Sequence, residues 1–291
     1  MFQGELLNGR YWVSSRLGAG GFGETWQAND TVANRWVAVK FPLGSSPAAA
    51  DNALREIRNL VRSQHIPEIV DILDSGEHRG RQYIVMEFCD GGSLRNWVAN
   101  RQPSQTVLAA VFNVAQALSS LHKVGGFHRD VKPDNLLIQL RDGYPFVKLG
   151  DLGIARIPEV GTHMTNRPLG TEGYLAPEVR GGGAYAPSAD IYSLGVTLVE
   201  LLTGSRDLGN AVPKIAGPAV KALAALMILT DPRRRPSAGQ VRDQLAAILN
   251  PARAASRPRV TQPESANNAP LVLGGLLVLG LLAALAANDE A

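Results

Sequence analysis

His128-Arg129-Asp130-Val131-Lys132-Pro133-Asp134-Asn135, followed further on by Asp151-Leu152-Gly153, is the stretch on which the reading of this chain turns. It sets a candidate base, Asp130, a cation, Lys132, and two hard oxygen donors, Asn135 and Asp151, into two short loops. Such a set suits the movement of a phosphoryl group, because there the protein has little covalent chemistry to supply and must position a hydroxyl and neutralise charge. Oxygen donors in small number favour magnesium, which completes its shell with water and phosphate oxygens. Leu136-Leu137-Ile138 and Val147-Lys148-Leu149 flank a turn at Asp142-Gly143, so a hairpin is expected to carry Asn135 and Asp151 into one cleft.

Upstream, Gly18-Ala19-Gly20-Gly21-Phe22-Gly23 fits a GxGxxG pattern. Dinucleotide-binding folds and plain hairpins share that pattern, but β-branched and aromatic residues from Tyr11 to Phe41 give a strand-turn-strand setting that argues against the dinucleotide fold. Val37-Ala38-Val39-Lys40 alternates, which puts Ala38 and Lys40 on one face of a strand. Ala48 to Val61 carries Leu54, Ile57, Leu60 and Val61 at helical spacing and includes Glu56.

Together these segments resemble the protein kinase family, in its eukaryotic-like (Hanks-type) serine/threonine branch, and are most similar to bacterial membrane-anchored members. The resemblance implies an α+β, bilobal protein-kinase fold over residues 11–250, with a small β-rich N-lobe (about 11–88) and a larger, mainly helical C-lobe (about 90–250). It implies ATP and Mg2+, with Mn2+ as the alternative ion. Leu17, Gly18, Ala19, Gly20, Gly21, Phe22, Gly23, Thr25 and Ala38 would enclose the nucleotide, Lys40 would contact its α/β-phosphates and pair with Glu56, and Met86, Glu87 and Cys89 would line the segment joining the lobes. Asp130 would take the catalytic place beside the acceptor hydroxyl and Lys132 the place beside the transferring group, while Asn135 and Asp151 would hold the metal. Thr25 stands where these enzymes usually carry valine, and Leu152 where phenylalanine is common.

Lys132 in combination with Thr171, within Gly170-Thr171-Glu172-Gly173-Tyr174-Leu175-Ala176-Pro177-Glu178, resembles serine/threonine kinases and not tyrosine kinases. The implied substrates are therefore proteins with Ser or Thr acceptors. Arg129 before the catalytic aspartate resembles kinases switched by loop phosphorylation, with Thr162 and Thr165 as the candidate sites. The same likeness pairs Glu178 with Arg235 and makes Asp190 a brace for the catalytic loop. Only Ser205 to Gly217 separate two helical stretches in a place where kinases usually carry a further helix.

The chain has 291 residues, 45% of them hydrophobic, which is enough for a sizeable core, and a formal charge of +3. No dense basic run with interleaved aromatics is present, so nucleic acid is not an expected partner. One cysteine, Cys89, excludes an internal disulfide framework. Thr106 to Val124 and Ser188 to Leu202 read as long buried helices, and Asp90-Gly91-Gly92-Ser93 as a turn with a helix starting at Ser93. Met1 to Tyr11 lacks the basic and apolar regions of a signal peptide.

Residues 251–270 read as a flexible linker, and 271–287, an unbroken run of Leu, Val, Ala and Gly, as a single transmembrane helix about 25 Å long. Arg253, Arg257 and Arg259 precede this run and Asp289 and Glu290 follow it, so the kinase lobes are expected on the cytoplasmic face of a membrane in a single-pass protein, with Asn288 to Ala291 across. Gly280 and Ala284 have a small-xxx-small spacing that can pack two tails together, which makes a homodimer an expectation. A rival reading is a catalytically silent scaffold of the same fold, and a third is a small-molecule kinase. Lys40, Asp130, Asn135 and Asp151 weigh against the scaffold, and Gly170 to Glu178 against the small-molecule enzyme.

Overall fold

The computed structural model describes residues 2–20, 23–42, 66–151 and 170–250. Six strands form one antiparallel sheet: β1 (Leu6–Leu7), β2 (Tyr11–Gly20), β3 (Gly23–Asp30), β4 (Arg35–Pro42), β5 (Ile72–His78) and β6 (Arg81–Glu87), in the order β1-β2-β3-β4-β6-β5. Alternation along β4 sends Val37, Val39 and Phe41 into one apolar cluster with Tyr11, Trp26 and Tyr83. Ala38 goes to a second cluster on the opposite face. Lys40 shares that second face, which looks onto the larger lobe. The sheet therefore buries one side and offers the other to a cleft.

The larger lobe is helical. α1 (Arg95–Asn100) and α2 (Ser104–Lys123) are followed by the hairpin β7 (Leu136–Arg141) and β8 (Tyr144–Leu149), then by α3 (Pro177–Arg180), α4 (Pro187–Thr203), α5 (Leu208–Ala211), α6 (Pro218–Met227) and α7 (Ala238–Leu249). Apolar residues recur along α2 so densely that Val107, Leu108, Val111, Leu118 and Leu121 are all buried. Each such side chain contributes about 1.5–3 kcal/mol on leaving water, so α2 and α4, buried over most of their length, anchor this lobe. α7 opens with a reciprocal cap in which the Ser237 hydroxyl accepts from the Gln240 N–H and the Gln240 side chain accepts from the Ser237 N–H.

β7 and β8 pair in the register Leu136↔Leu149 through Arg141↔Tyr144, with Asp142 and Gly143 at the turn. Both turn residues have positive φ, as a two-residue hairpin loop requires. Asn135 and Gly150 therefore end up side by side, joined by a bond from the Gly150 N–H to the Asn135 carbonyl of 2.8 Å.

One local expectation changes. The helix expected from Ser93 begins at Arg95, because Ser93 forms an isolated antiparallel bridge with Leu137 and stays extended. The stretch after α4, expected to be short, holds only the one-turn α5 and a 3-10 turn at Val212–Lys214. The expected helix at Ala48–Val61 with Glu56, the residues Gly21, Phe22, Leu152, Gly153, Thr162 and Thr165, the linker and the apolar run 271–287 lie outside the described residues. Among the described residues no helix is long and apolar enough to cross a membrane.

Candidate active site

The loop from His128 to Asn135 is held from below by one carboxylate. Asp190, in the first turn of α4, accepts from the backbone N–H of His128 at 2.9 Å and of Arg129 at 2.8 Å, and it also meets His122 Nε2 at 2.8 Å and the Tyr185 hydroxyl at 2.7 Å. His128 is fully buried, and its Nε2 lies 2.8 Å from the Gly150 carbonyl. A carbonyl can only accept, so Nε2 carries the proton and Nδ1 is left to accept from the Asp130 N–H at 3.3 Å. This imidazole ties the loop of Asp130 to the residue just before Asp151. Arg129 (φ 72°) and Asp151 (φ 54°) both occupy the left-handed region. That conformation costs on the order of 1 kcal/mol or more per residue, and the surrounding bonds hold it.

Four donors converge on the Asp130 carboxylate. Oδ1 accepts from the Thr171 hydroxyl at 2.7 Å and the Thr171 N–H at 3.1 Å, and Oδ2 from Lys132 Nζ at 2.8 Å and Asn135 Nδ2 at 2.9 Å. Burial pushes the Asp130 carboxyl up. The bonds from Lys132, Thr171 and Asn135, together with the Lys132 charge, outweigh burial and hold it below the ordinary aspartate value. Lys132 Nζ also donates to the Thr171 hydroxyl at 2.5 Å. An alcohol in this place thus gives its proton toward Asp130 and accepts from Lys132.

The nucleotide half of the cleft comes from the sheet. Thr25 lies opposite Lys40, and Ala38 opposite Met86. Ala38, Val70, Ile72, Met86 and Cys89 form one apolar cluster against which Leu137 and Phe88 pack, a floor suited to a flat base. Gly18, Ala19 and Gly20 pair with Thr25, Glu24 and Gly23, and Leu17 is about half exposed at the start of this turn. At Gly23 (φ 124°) a Cβ would overlap the Phe41 carbonyl oxygen, so only glycine lets β3 leave the turn there. The Glu87 N–H is already used by the Asp71 carbonyl, and the Glu87 side chain is held by Lys148 and Gln139, each at 2.5 Å. Glu87 therefore anchors the inter-lobe segment, which continues without strand pairing through Phe88 and Cys89. Burial pushes the Cys89 thiol up to about 12, which marks it as packing.

Lys40 Nζ reaches across the cleft to Asp151 Oδ1 at 2.5 Å. Asn135 turns its Nδ2 inward to the Asp130 carbonyl and carboxylate, so its Oδ1 accepts no hydrogen bond among the described residues. One carboxylate and one amide oxygen are the hard donors that Mg2+ accepts when phosphate oxygens and water fill the rest of its shell. Among the described residues no group of three or more His, Cys, Asp or Glu is placed to hold a metal ion. The residues present fit Mg2+, which Asn135 and Asp151 would hold.

The structure thus brings Lys40, Asp130, Lys132, Asn135, Asp151 and Thr171 into one cleft. It also shows residues that the sequence did not single out. Arg95 bonds Asp134 at 2.7 Å, Glu200 at 2.9 Å and the Tyr174 hydroxyl at 2.7 Å, and Tyr174 in turn donates to Glu200. This network fastens α1, the catalytic loop, the Thr171 turn and α4 to one another. Its members are far apart in the chain and carry no local signature. Leu137 on the base-side floor had a weaker but real signal, since alternation in Leu136-Leu137-Ile138 sends it to the face opposite its neighbours.

Residues 11–246 match the family described as Protein kinase domain. The chain is 37% identical over 238 residues to serine/threonine-protein kinase PknD of Mycobacterium tuberculosis, covering 79% of this chain and 34% of that protein. It is 34% identical over 210 residues to serine/threonine-protein kinase PrkC of Bacillus subtilis, covering 70% and 32%. The chain spans about a third of the length of these relatives. The crystal structure of the Mycobacterium tuberculosis PknI kinase domain, in a variant with one cysteine replaced by alanine, superposes with a TM-score of 0.61 at 28% identity, covering 84% of this chain and 98% of that one. With its β-rich small lobe, its helical large lobe and these matched residues, the chain belongs to the protein kinase family, among the bacterial serine/threonine kinases of the Hanks type.

Proposed function

We propose that this protein transfers the γ-phosphoryl group of MgATP to Ser and Thr hydroxyls of protein substrates. The observation that carries the reading is the Thr171 hydroxyl, which donates to Asp130 and accepts from Lys132 within 2.7 Å of each. A substrate hydroxyl brought beside it finds a carboxylate held ionised to receive its proton, and an ammonium to stabilise charge on the transferring group. Bound Mg2+, held by Asn135 and Asp151, supplies positive charge that offsets the charge of the phosphates. Lys40, free to leave Asp151 when phosphates enter, orients the nucleotide from the opposite lobe. Asp190 and His128 keep the loop in register, so the donors cost little reorganisation at the moment of transfer.

The test is incubation of the full chain with labelled MgATP and a generic Ser/Thr protein, beside an Asp130→Asn control. Label on serine or threonine above the control is the expected result. Nucleotide binding without transfer would instead support a silent scaffold.

Two finer elements belong to the same proposal. Phosphorylation of Thr162 or Thr165 by the protein itself would raise activity, because a phosphate brings about −1.5 to −2 charges that Arg129 can bind. Equal turnover of a Thr162→Ala/Thr165→Ala double variant would remove that element. The apolar run 271–287 would tether the enzyme to a membrane, with the lobes on the cytoplasmic side.

A further inference from the structure

Arg206 lies just after α4, and nothing in the phosphoryl-transfer chemistry uses it. Its guanidinium carbon stands 5.2 Å from the centre of the Tyr174 ring, and its Nε is 3.5 Å from Glu200 Oε1. Its Nη1 fills the space that a Cβ on Gly173 would need, and Gly173 has φ 93°. The guanidinium is thus fixed in orientation by a ring, a carboxylate and a backbone turn. Its side chain is still 46% exposed. Glu200 is already bonded by Arg95 and Tyr174, so the longer contact to Arg206 neutralises it only in part. Among the described residues the terminal nitrogens of Arg206 donate no hydrogen bond. A planar fork held in place with its outer donors open is matched to an oxyanion, which it can bind with two parallel bonds.

The place matters as much as the group. A substrate hydroxyl has to reach Asp130 beside Thr171, so the flanking residues of the substrate pass over the turn that runs from Thr171 to Leu175. Gly173 is two residues from Thr171, a span of about 7 Å when extended. Arg180, which donates to the Leu175 carbonyl at 3.4 Å, adds positive charge at the same turn. Asp134, Glu172 and Asp207 are all exposed; Asp134 is paired with Arg95, and Asp207 accepts from the neutral Asn210 amide.

We infer that Arg206 is a specificity-determining residue that selects protein substrates with an acidic side chain within about three residues of the acceptor. The inference rests on the protein kinase reading and adds to it a substrate class. The short segment between α4 and α6 gives it a physical basis, since position 206 lies three residues after the end of α4 and its side chain lies against the Tyr174 ring.

The full chain is assayed with MgATP and three serine peptides that differ only in carrying Asp, Ala or Lys at the positions flanking the serine. The expected result is a kcat/KM about tenfold higher for the Asp peptide than for the Lys peptide, carried by KM, as one charge-assisted fork contact would give. In Arg206→Ala the Asp to Lys ratio falls to near one, and Arg206→Lys retains an intermediate ratio, because an ammonium keeps the charge without the fork. A structural role would lower all three peptides together in Arg206→Ala and leave the ratio in place, which would overturn the inference. Equal use of the three peptides by the unaltered protein would overturn it as well and leave the kinase reading standing. Absence of transfer to any peptide and to the protein itself would remove that reading and this inference with it.

Discussion

At Asp130 burial and hydrogen bonding pull in opposite directions, and the bonds win. Lys132, Thr171 and Asn135 keep the carboxylate ionised although it is 8% exposed, so in the proposed reaction it would meet a substrate hydroxyl as an acceptor. Asp130→Asn keeps the shape but replaces one acceptor oxygen with a donor aimed at other donors. Phosphoryl transfer in this variant is expected to fall by about 10²- to 10⁴-fold, the usual contribution of a positioned base, while nucleotide affinity stays within a few fold. Parallel turnover assays and nucleotide titrations check this, and a variant that loses both equally would place Asp130 in binding and not in transfer. The residues of this centre were legible because their spacing is local: Asp130, Lys132 and Asn135 sit in one loop, and Thr171 in a short recognisable turn. Contacts such as Lys40 with Asp151, or Arg95 with Glu200, join residues more than a hundred positions apart. Either partner alone looks like an ordinary surface charge, so sequence pattern gave the first pairing no signal and missed the second.

Among the elements, α4 does most to turn sequence into a site. Burial pushes the Asp190 carboxyl up, but the bond and charge of His122 and the backbone N–H of His128 more than offset it, and its value in the folded protein is lowered. A carboxyl depressed on folding contributes stability that is intact above its ordinary unfolded value and is lost as pH falls through the folded one. The unfolding temperature is thus expected to drop on acidification below the ordinary aspartate range. In Asp190→Asn it should start lower at neutral pH and lose this component of the acid dependence, which thermal scans at stepped pH will show. The same end of α4 also depends on Arg235, whose fully buried guanidinium bonds Glu178 at 2.7 and 2.8 Å and three backbone carbonyls, Ser188 among them. Arg235→Ala strands all of them, and a loss of about 3–5 kcal/mol in denaturant unfolding is expected. A loss under about 1 kcal/mol would mean that water replaces the pair. The long helices α2 and α4 could be read from their periodicity to within two residues at each end. The one-turn α5 could not, since four residues give no period, and Ser93 misled because its bridge to Leu137 belongs to tertiary pairing and overrides a good helix-start residue.

On the scale of the molecule, the two lobes have separate cores, and the cluster around Ala38, Met86 and Leu137 joins them across the cleft. The proposed transfer would therefore take place where the lobes meet. The run 271–287 contains no polar side chain, and at 1.5 Å per residue it reaches about 25 Å, against a hydrocarbon core of about 30 Å. A small mismatch of this kind is met by slight thinning of the bilayer at a fraction of a kcal/mol per Å, far less than is gained by burying so many Leu and Val side chains. Arg253, Arg257 and Arg259 on one flank and acids on the other would orient such a helix with the lobes on the cytoplasmic side. The full chain is therefore expected in the membrane fraction and resistant to alkaline extraction. Replacing Leu276 and Leu282 by Arg should release it, since each charge near a helix centre costs about 2.5–3.5 kcal/mol on insertion. Kinase activity toward a soluble peptide should be unchanged by that pair, because both residues lie outside the matched kinase domain, residues 11–246. Full recovery of the unaltered chain in the soluble fraction would rule out the tether and recast the run as a helix that packs against protein.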